Sequence, residues 1–77
     1  MQYLKSSQPI PNQGMSFTYY EIEGDDKILR MMTVIPETGK ISTYPKPPVK
    51  KLFAPERCLS ATAEEFEDFW NKAEGQN

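Results

Sequence analysis

Residues 28–35 form the most informative stretch of this sequence: they read Ile-Leu-Arg-Met-Met-Thr-Val-Ile and are followed by Pro36. Such a density of β-branched and other apolar side chains is typical of a β-strand, and a proline cannot continue the hydrogen-bond ladder of a central strand. Strict alternation divides the apolar side chains between two faces, with Ile28, Met32 and Val34 on one and Leu29, Met31 and Ile35 on the other. The sequence therefore predicts a central strand that is apolar on both faces.

Two flanking segments predict the neighbours of this strand. Residues 16–23 are rich in aromatic and β-branched side chains, and residues 40–44 return after a turn in which Gly39 suits a positive φ. Residues 24–27 have the composition of a second turn. Strands at about 16–23, 28–35 and 40–44 predict an antiparallel meander. On the first of them, alternation separates two sets of side chains: Thr18, Tyr20 and Ile22 against Phe17, Tyr19 and Glu21.

Prolines predict loops or extended chain on both sides of the meander. A short fourth strand over residues 3–5 is left open by the sequence, and a loop containing Pro9 and Pro11 follows it. After the meander, four prolines between residues 45 and 55 exclude long regular structure, so residues 45–59 are interpreted as an extended strap. The apolar side chains that would anchor this strap are Val49, Leu52 and Phe53.

The C-terminal segment predicts an amphipathic helix over residues 62–74. Thr62 followed by Glu65 matches a capping box, and Gly75 suits the C-terminal end. One apolar stripe recurs at the spacing of a helix: Ala63, Phe66, Phe69, Trp70 and Ala73. Its aromatic side chains are the largest apolar surface in the chain, so we expect the helix to pack on the sheet.

These elements predict an α+β fold in a single domain, residues 1–77. It has three or four antiparallel strands in a β-meander, a proline-rich extended strap and one C-terminal amphipathic helix packed on the sheet. A single helix covers only one face of that sheet. Either the strap or another protein chain is therefore expected to cover the second face.

Composition excludes several kinds of chemistry. The chain has 77 residues, no histidine and one cysteine, which exclude a Ser-His-Asp triad, a histidine-ligated metal, an intrachain disulfide and a Cys-X-X-Cys pair. We therefore predict no catalytic residue, no metal and no cofactor. The N-terminus has no secretory apolar region, and no stretch is apolar enough to span a bilayer. These features predict a cytoplasmic protein without a membrane partner.

Three features of the sequence each allow a structural interpretation and a functional one. Cys58 is the only candidate nucleophile, but without a histidine base we interpret it as a buried or half-buried packing residue. Four carboxylates, Glu21, Glu23, Asp25 and Asp26, surround one turn and are interpreted as a solvated hairpin tip rather than a calcium or glycosidase site. Residues 45–50 contain a PxxP pattern, typical of SH3-type ligands, which also fits the strap.

Charge is unevenly distributed along the chain. Residues 1–44 carry four basic and five acidic groups, residues 45–59 four basic and one acidic, and residues 60–77 one basic and five acidic, for a net charge of −2. The basic segment interleaves cationic and aromatic side chains, a composition suited to recognition. The residues that we predict to bind a partner are Tyr44, Lys46, Lys50, Lys51, Phe53 and Arg57.

Two hypotheses about function remain open. The first is a small non-catalytic protein-interaction module that binds a protein partner or a second copy of itself. The pattern resembles small accessory proteins of bacteria and phages in which a β-meander carries one helix, and inhibitors and immunity-type proteins belong to that class. The second is a module that binds single-stranded nucleic acid through the basic aromatic strap, which the acidic net charge disfavours.

Overall fold

The structure is a computed structural model and describes residues 1–12, 14–24, 27–47, 51–52 and 55–75. The described chain contains five strands and one helix. In chain order these are β1 (Gln2–Ile10), β2 (Gly14–Glu23), β3 (Lys27–Ile35), β4 (Lys40–Tyr44), a 3₁₀ turn (Pro55–Arg57), β5 (Leu59–Ala61) and α1 (Ala63–Gly75). All strands are antiparallel in one sheet of order β4-β3-β2-β1-β5, and α1 packs on it. The predicted α+β fold is confirmed.

The sheet extends the predicted meander of β2, β3 and β4 at its β2 edge. β1 is nine residues long and pairs with β2 along its whole length, whereas the sequence indicated at most residues 3–5. Pro9 lies beyond Tyr3–Lys5, the part of β1 that pairs with β5, so β1 is an edge strand at residue 9, where a proline is tolerated. β5 itself begins at Leu59, the last residue of the predicted strap.

A β-bulge corrects the predicted faces of the central strand. Glu21 pairs with Arg30 and Ile22 pairs with Ile28, so Leu29 is an extra residue in β3. Because of this insertion, Ile28 does not share a face with Met32 and Val34, as strict alternation predicted. Met32 and Val34 face α1 (the helix face), and Ile28 lies on the opposite side of the sheet (the far face).

The protein has an apolar core on each side of the sheet. The helix-face core consists of Tyr19, Met32, Val34, Phe66 and Trp70. The far-face core consists of Leu4, Ile22, Ile28 and Leu52. Leu52 is buried, so the second face is covered at this end by one of the three predicted strap anchors. The other two anchors, Val49 and Phe53, lie outside the described residues.

The start of α1 is capped, although the predicted capping box does not form. The Thr62 hydroxyl accepts a hydrogen bond from the Glu65 backbone N–H at 3.1 Å. The Glu65 carboxylate does not return to the backbone of Thr62; it accepts hydrogen bonds from the Tyr19 hydroxyl at 2.6 Å and the Lys5 ammonium at 3.0 Å. Glu65 therefore ties the first turn of α1 to β1 and β2.

Removal of the cap has a measurable consequence. Thr62→Ala leaves the Glu65 N–H without its side-chain acceptor and is expected to lower the free energy of unfolding by about 1 kcal/mol. For a domain of this size that corresponds to a fall in Tm of roughly 4–8 °C. Thermal unfolding followed by circular dichroism measures it, with Thr62→Ser as the matched control. An unchanged Tm in the alanine variant would show that the cap contributes nothing.

Candidate functional site

The residues predicted to bind a partner are only partly brought together. Tyr44 ends β4, Lys46 follows it, and Lys51 lies beside the start of β3. Arg57 is exposed at the end of the 3₁₀ turn. Lys50 and Phe53 were also predicted, and both fall outside the described residues.

Lys46 and Lys51 both lie next to Lys27, the first residue of β3. Lys51 forms an antiparallel bridge with Lys27, and residues so paired have Cβ atoms roughly 4.5–5.5 Å apart. Lys46 and Lys27 line one open depression of about 430 Å³, together with Leu29 and Pro47. We call Lys27, Lys46 and Lys51 the lysine cluster. Sequence reasoning placed Lys27 in a turn and missed it, because only the return of residue 51 to β3 reveals its neighbours.

The lysine cluster is positively charged and exposed. Glu23 lies opposite Lys27 on β2, yet the salt bridges among the described residues use only Lys5 and Arg30 as cations. All three ammonium groups therefore lack a salt bridge to a described carboxylate. Like charges held close together repel one another, so an anionic group bound here would relieve that repulsion.

A row of partly exposed large side chains crosses the far face beside the far-face core. Tyr20 of β2 pairs with Met31 of β3, and Met31 pairs with Tyr44 of β4, so the three side chains lie side by side. Tyr20 and Met31 pack against the far-face core. We call these three residues the tyrosine row. Tyr44 is thus a predicted site residue that the fold places with two others.

A second row continues the far face away from the covered end. The pairing partners Ser6, Thr18, Thr33 and Ser42 place four small hydroxyl side chains in line across β1 to β4. Each of them is partly exposed. The far face therefore changes from an apolar end covered by Leu52, through the tyrosine row, to a row of hydroxyls.

The helix face holds a network of ionic and aromatic side chains centred on Arg30. Arg30 donates through Nε and Nη2 to Glu21 at 2.8 Å each, and also donates to Glu67. Its guanidinium lies 4.9 Å and 4.8 Å from the ring centroids of Phe66 and Trp70. The hydrogen bonds from Arg30 lower the pKa of Glu21, whereas burial acts in the opposite direction. This network joins α1 to the sheet, and among the described residues no buried side-chain nitrogen or oxygen lacks a hydrogen-bond partner.

The predicted carboxylate cluster is divided by the fold. Glu21 points to the helix face and binds Arg30, whereas Glu23 is exposed, and residues 25 and 26 lie outside the described residues. The part of the chain that the structure describes contains no group of three residues able to hold a metal ion.

Cys58 is partly buried and packs against the far-face core, as interpreted from the sequence. Burial, and to a smaller extent the carboxylate of Glu56, raise the pKa of its thiol. The thiol is therefore protonated at neutral pH, which is unfavourable for a nucleophile.

Comparison with known proteins finds no match to a family model, to a curated protein or to a solved structure. Among the described residues, no helix is both long and apolar enough to cross a membrane.

Proposed function

We propose that this protein is a small non-catalytic protein-interaction module that binds an acidic surface of a partner protein through the tyrosine row and the lysine cluster. One observation carries the proposal: Tyr44 ends a partly exposed row of two tyrosines and a methionine on the far face, and Lys46, two residues further on, belongs to a cluster of three exposed lysines that have no described salt bridge. The class of protein that we propose includes inhibitors, immunity-type proteins and other accessory proteins, and we propose a cytoplasmic location.

The chemistry of the two parts suits a protein interface. Tyrosine and methionine are enriched in interface cores because they offer a large contact area, and methionine adapts to the shape of a partner. Lysines are found at the rim, where they orient the partner and accelerate association more than they add to affinity. The partner is therefore expected to present an apolar patch bordered by aspartate or glutamate.

A second candidate is single-stranded nucleic acid. It is favoured by Tyr20 and Tyr44, because partly exposed aromatic side chains on an antiparallel sheet can stack on bases. Three lysines neutralise at most three phosphates, however, and the chain as a whole carries a net charge of −2. The helix α1 contributes five carboxylates to that charge and repels a nucleic acid at long range.

Charge reversal in the lysine cluster tests the proposal. Lys46→Glu combined with Lys51→Glu changes two exposed side chains, so we expect the fold to persist and binding to an acidic partner to weaken at least about tenfold. Lys72→Glu on α1 is the control for a charge reversal outside the lysine cluster. Quantitative affinity purification compares the three proteins as baits, with nuclease-treated lysate and with light scattering of each bait.

Each outcome of this experiment identifies what the tyrosine row and the lysine cluster bind, or contradicts the proposal. A protein retained by the native chain and the control, but lost by the double variant, supports the proposal. Capture that disappears with nuclease, and direct binding of an oligothymidylate that weakens with salt, supports nucleic acid instead. A dimer in light scattering that the double variant dissociates identifies the partner as a second copy. A monomer for which no protein distinguishes the native chain from the double variant contradicts the proposal.

A further inference from the structure

A second concave site lies on the helix face, on the opposite side of the sheet from the tyrosine row. It is a cavity of about 400 Å³ between the C-terminal half of α1 and the hairpin of β3 and β4. Phe17 and Tyr19 of β2 form its floor, and Val34 and Ile41 form the hairpin wall. Phe69 lies on the helix side, its ring 5.5 Å from that of Tyr19. Its volume lies in the range of small-molecule sites, roughly 300–1,000 Å³.

The cavity arises from how α1 divides its aromatic side chains. Phe66 and Trp70 are buried in the helix-face core, whereas Phe69, one turn after Phe66, is only partly buried. Ile41 and Phe17 are partly buried as well. Three elements thus converge on a space lined by apolar side chains that retain some exposure, and apolar atoms of a ligand would complete their burial.

One charged side chain borders this apolar space. Lys72 lies in the last turn of α1, with its Nζ atom 5.5 Å from the centre of the Phe69 ring. Asp68, one turn earlier, forms no salt bridge with it, and neither does any other described carboxylate. The hydroxyl of Tyr19 is already engaged with Glu65 at 2.6 Å. Lys72 is therefore the group available to recognise a polar end of a ligand.

We propose that this cavity binds a small amphipathic carboxylate, with its alkyl or aryl body between β2, the hairpin and Phe69 and its carboxylate on the ammonium of Lys72. The complementarity is of two kinds: apolar surface inside and a single positive charge at the border. A cationic or neutral amphiphile satisfies only the first. This proposal does not depend on the function of the far face.

Titration with straight-chain carboxylates tests both parts. Butanoate, hexanoate and octanoate are added to ¹⁵N-labelled protein, and amide shifts are followed at Phe17, Ile41 and Phe69. We expect saturable shifts, with the Kd falling about three- to fourfold for each added CH₂ group as apolar surface is buried. Octylamine, which places a positive charge beside Lys72, is expected to bind at least about tenfold more weakly than octanoate.

Variants test separately how the charge of Lys72 and the apolar cavity contribute to binding. Lys72→Gln is expected to weaken octanoate about two- to fivefold, the loss for an exposed charge pair, while octanol is unaffected. Lys40→Gln is the control: it removes an exposed charge next to Ile41 in sequence but on the opposite face of β4, and it leaves octanoate binding unchanged. Ile41→Trp fills the cavity and is expected to abolish binding; its amide spectrum shows whether the fold persists.

The proposal is overturned by any of three results in the native protein. They are no saturable shift at millimolar octanoate, equal affinity for octanoate and octylamine, or shifts confined to residues of the far face. Because these measurements need no variant, loss of folding in Ile41→Trp does not affect the decision.

Discussion

Replacing Phe66 with alanine is expected to lower the free energy of unfolding by about 3–5 kcal/mol, which is comparable with the whole stability of a small domain. The Phe66 side chain is fully buried, with 0% of its surface exposed. Its ring lies 5.4 Å from that of Tyr3 and 5.8 Å from that of Trp70, and the Arg30 guanidinium lies 4.9 Å from its centre. The variant therefore loses contacts to β1, β3 and α1 at once.

Urea denaturation followed by circular dichroism measures this loss. Phe69→Ala is the matched control, because it removes the same side chain from the next turn of α1, where the ring is only partly buried beside the helix-face cavity. We expect a smaller loss for the control, since less apolar surface returns to water. Equal losses for the two variants would contradict the assignment of Phe66 as the centre of the core.

Local patterns predicted the helix and three strands correctly. The apolar stripe of α1 follows the helical repeat, and β2, β3 and β4 are dense in β-branched and aromatic side chains between turns that contain Gly24 and Gly39. Gly39 has a φ of 72°, as predicted for the hairpin loop. Signals of this kind lie within a few consecutive residues, so the sequence alone reveals them.

The missed features depend on residues distant in sequence. β1 is largely polar and contains Pro9, so only its long pairing with β2 makes it a strand. β5 has three residues and exists because Tyr3–Lys5 are available to pair with it. Glu65 has the spacing of a capping box, yet partners 46 and 60 residues away bind its carboxylate instead. Tertiary contacts override the local preference in all three cases.

The sequence predicted only part of the candidate site, because some of its residues come together only through long-range pairing. Tyr44, Lys46 and Lys51 belong to a basic segment with aromatic side chains, and the segregation of charge marks that segment. Tyr20 and Met31, in contrast, join Tyr44 only through the register of β2, β3 and β4. The bulge at Leu29 determines which face each residue of β3 occupies, and no local pattern predicts where an extra residue is inserted.

Arg30 is the residue whose replacement is expected to change the pH dependence of stability most. The Glu21 side chain is only 9% exposed and receives two hydrogen bonds from Arg30 and one from the Tyr3 hydroxyl. Arg30→Met leaves this carboxylate charged and nearly buried with only the bond from Tyr3. We expect the free energy of unfolding to fall by about 2–4 kcal/mol at neutral pH. This value is near the lower end for a broken buried ion pair, because Arg30 is itself 27% exposed.

The sign of the pH effect follows from the pKa of Glu21. In the native protein this pKa is lowered, chiefly by the hydrogen bonds from Arg30. The charged Glu21 therefore stabilises the fold above the ordinary glutamate pKa, and this stabilisation is lost as pH falls through the pKa of the folded state. In Arg30→Met, we expect burial to outweigh the remaining bond from Tyr3 and to raise the pKa of Glu21. Protonation then removes the buried charge. The difference in the free energy of unfolding between the native protein and the variant is therefore expected to shrink as pH falls from 7 towards about 4.

Glu21→Gln provides the control that isolates this charge. In the double variant Arg30→Met with Glu21→Gln, the amide still accepts from Tyr3 but carries no charge, so at pH 7 it is expected to be more stable than Arg30→Met alone. The two variants retain Glu65, whose pKa is also lowered, by the bonds from Tyr19 and then Lys5, and its contribution cancels in the comparison. Their difference, measured by urea denaturation at several pH values, is expected to vanish on acidification. A difference that is independent of pH would show that the charge of Glu21 is not what destabilises Arg30→Met.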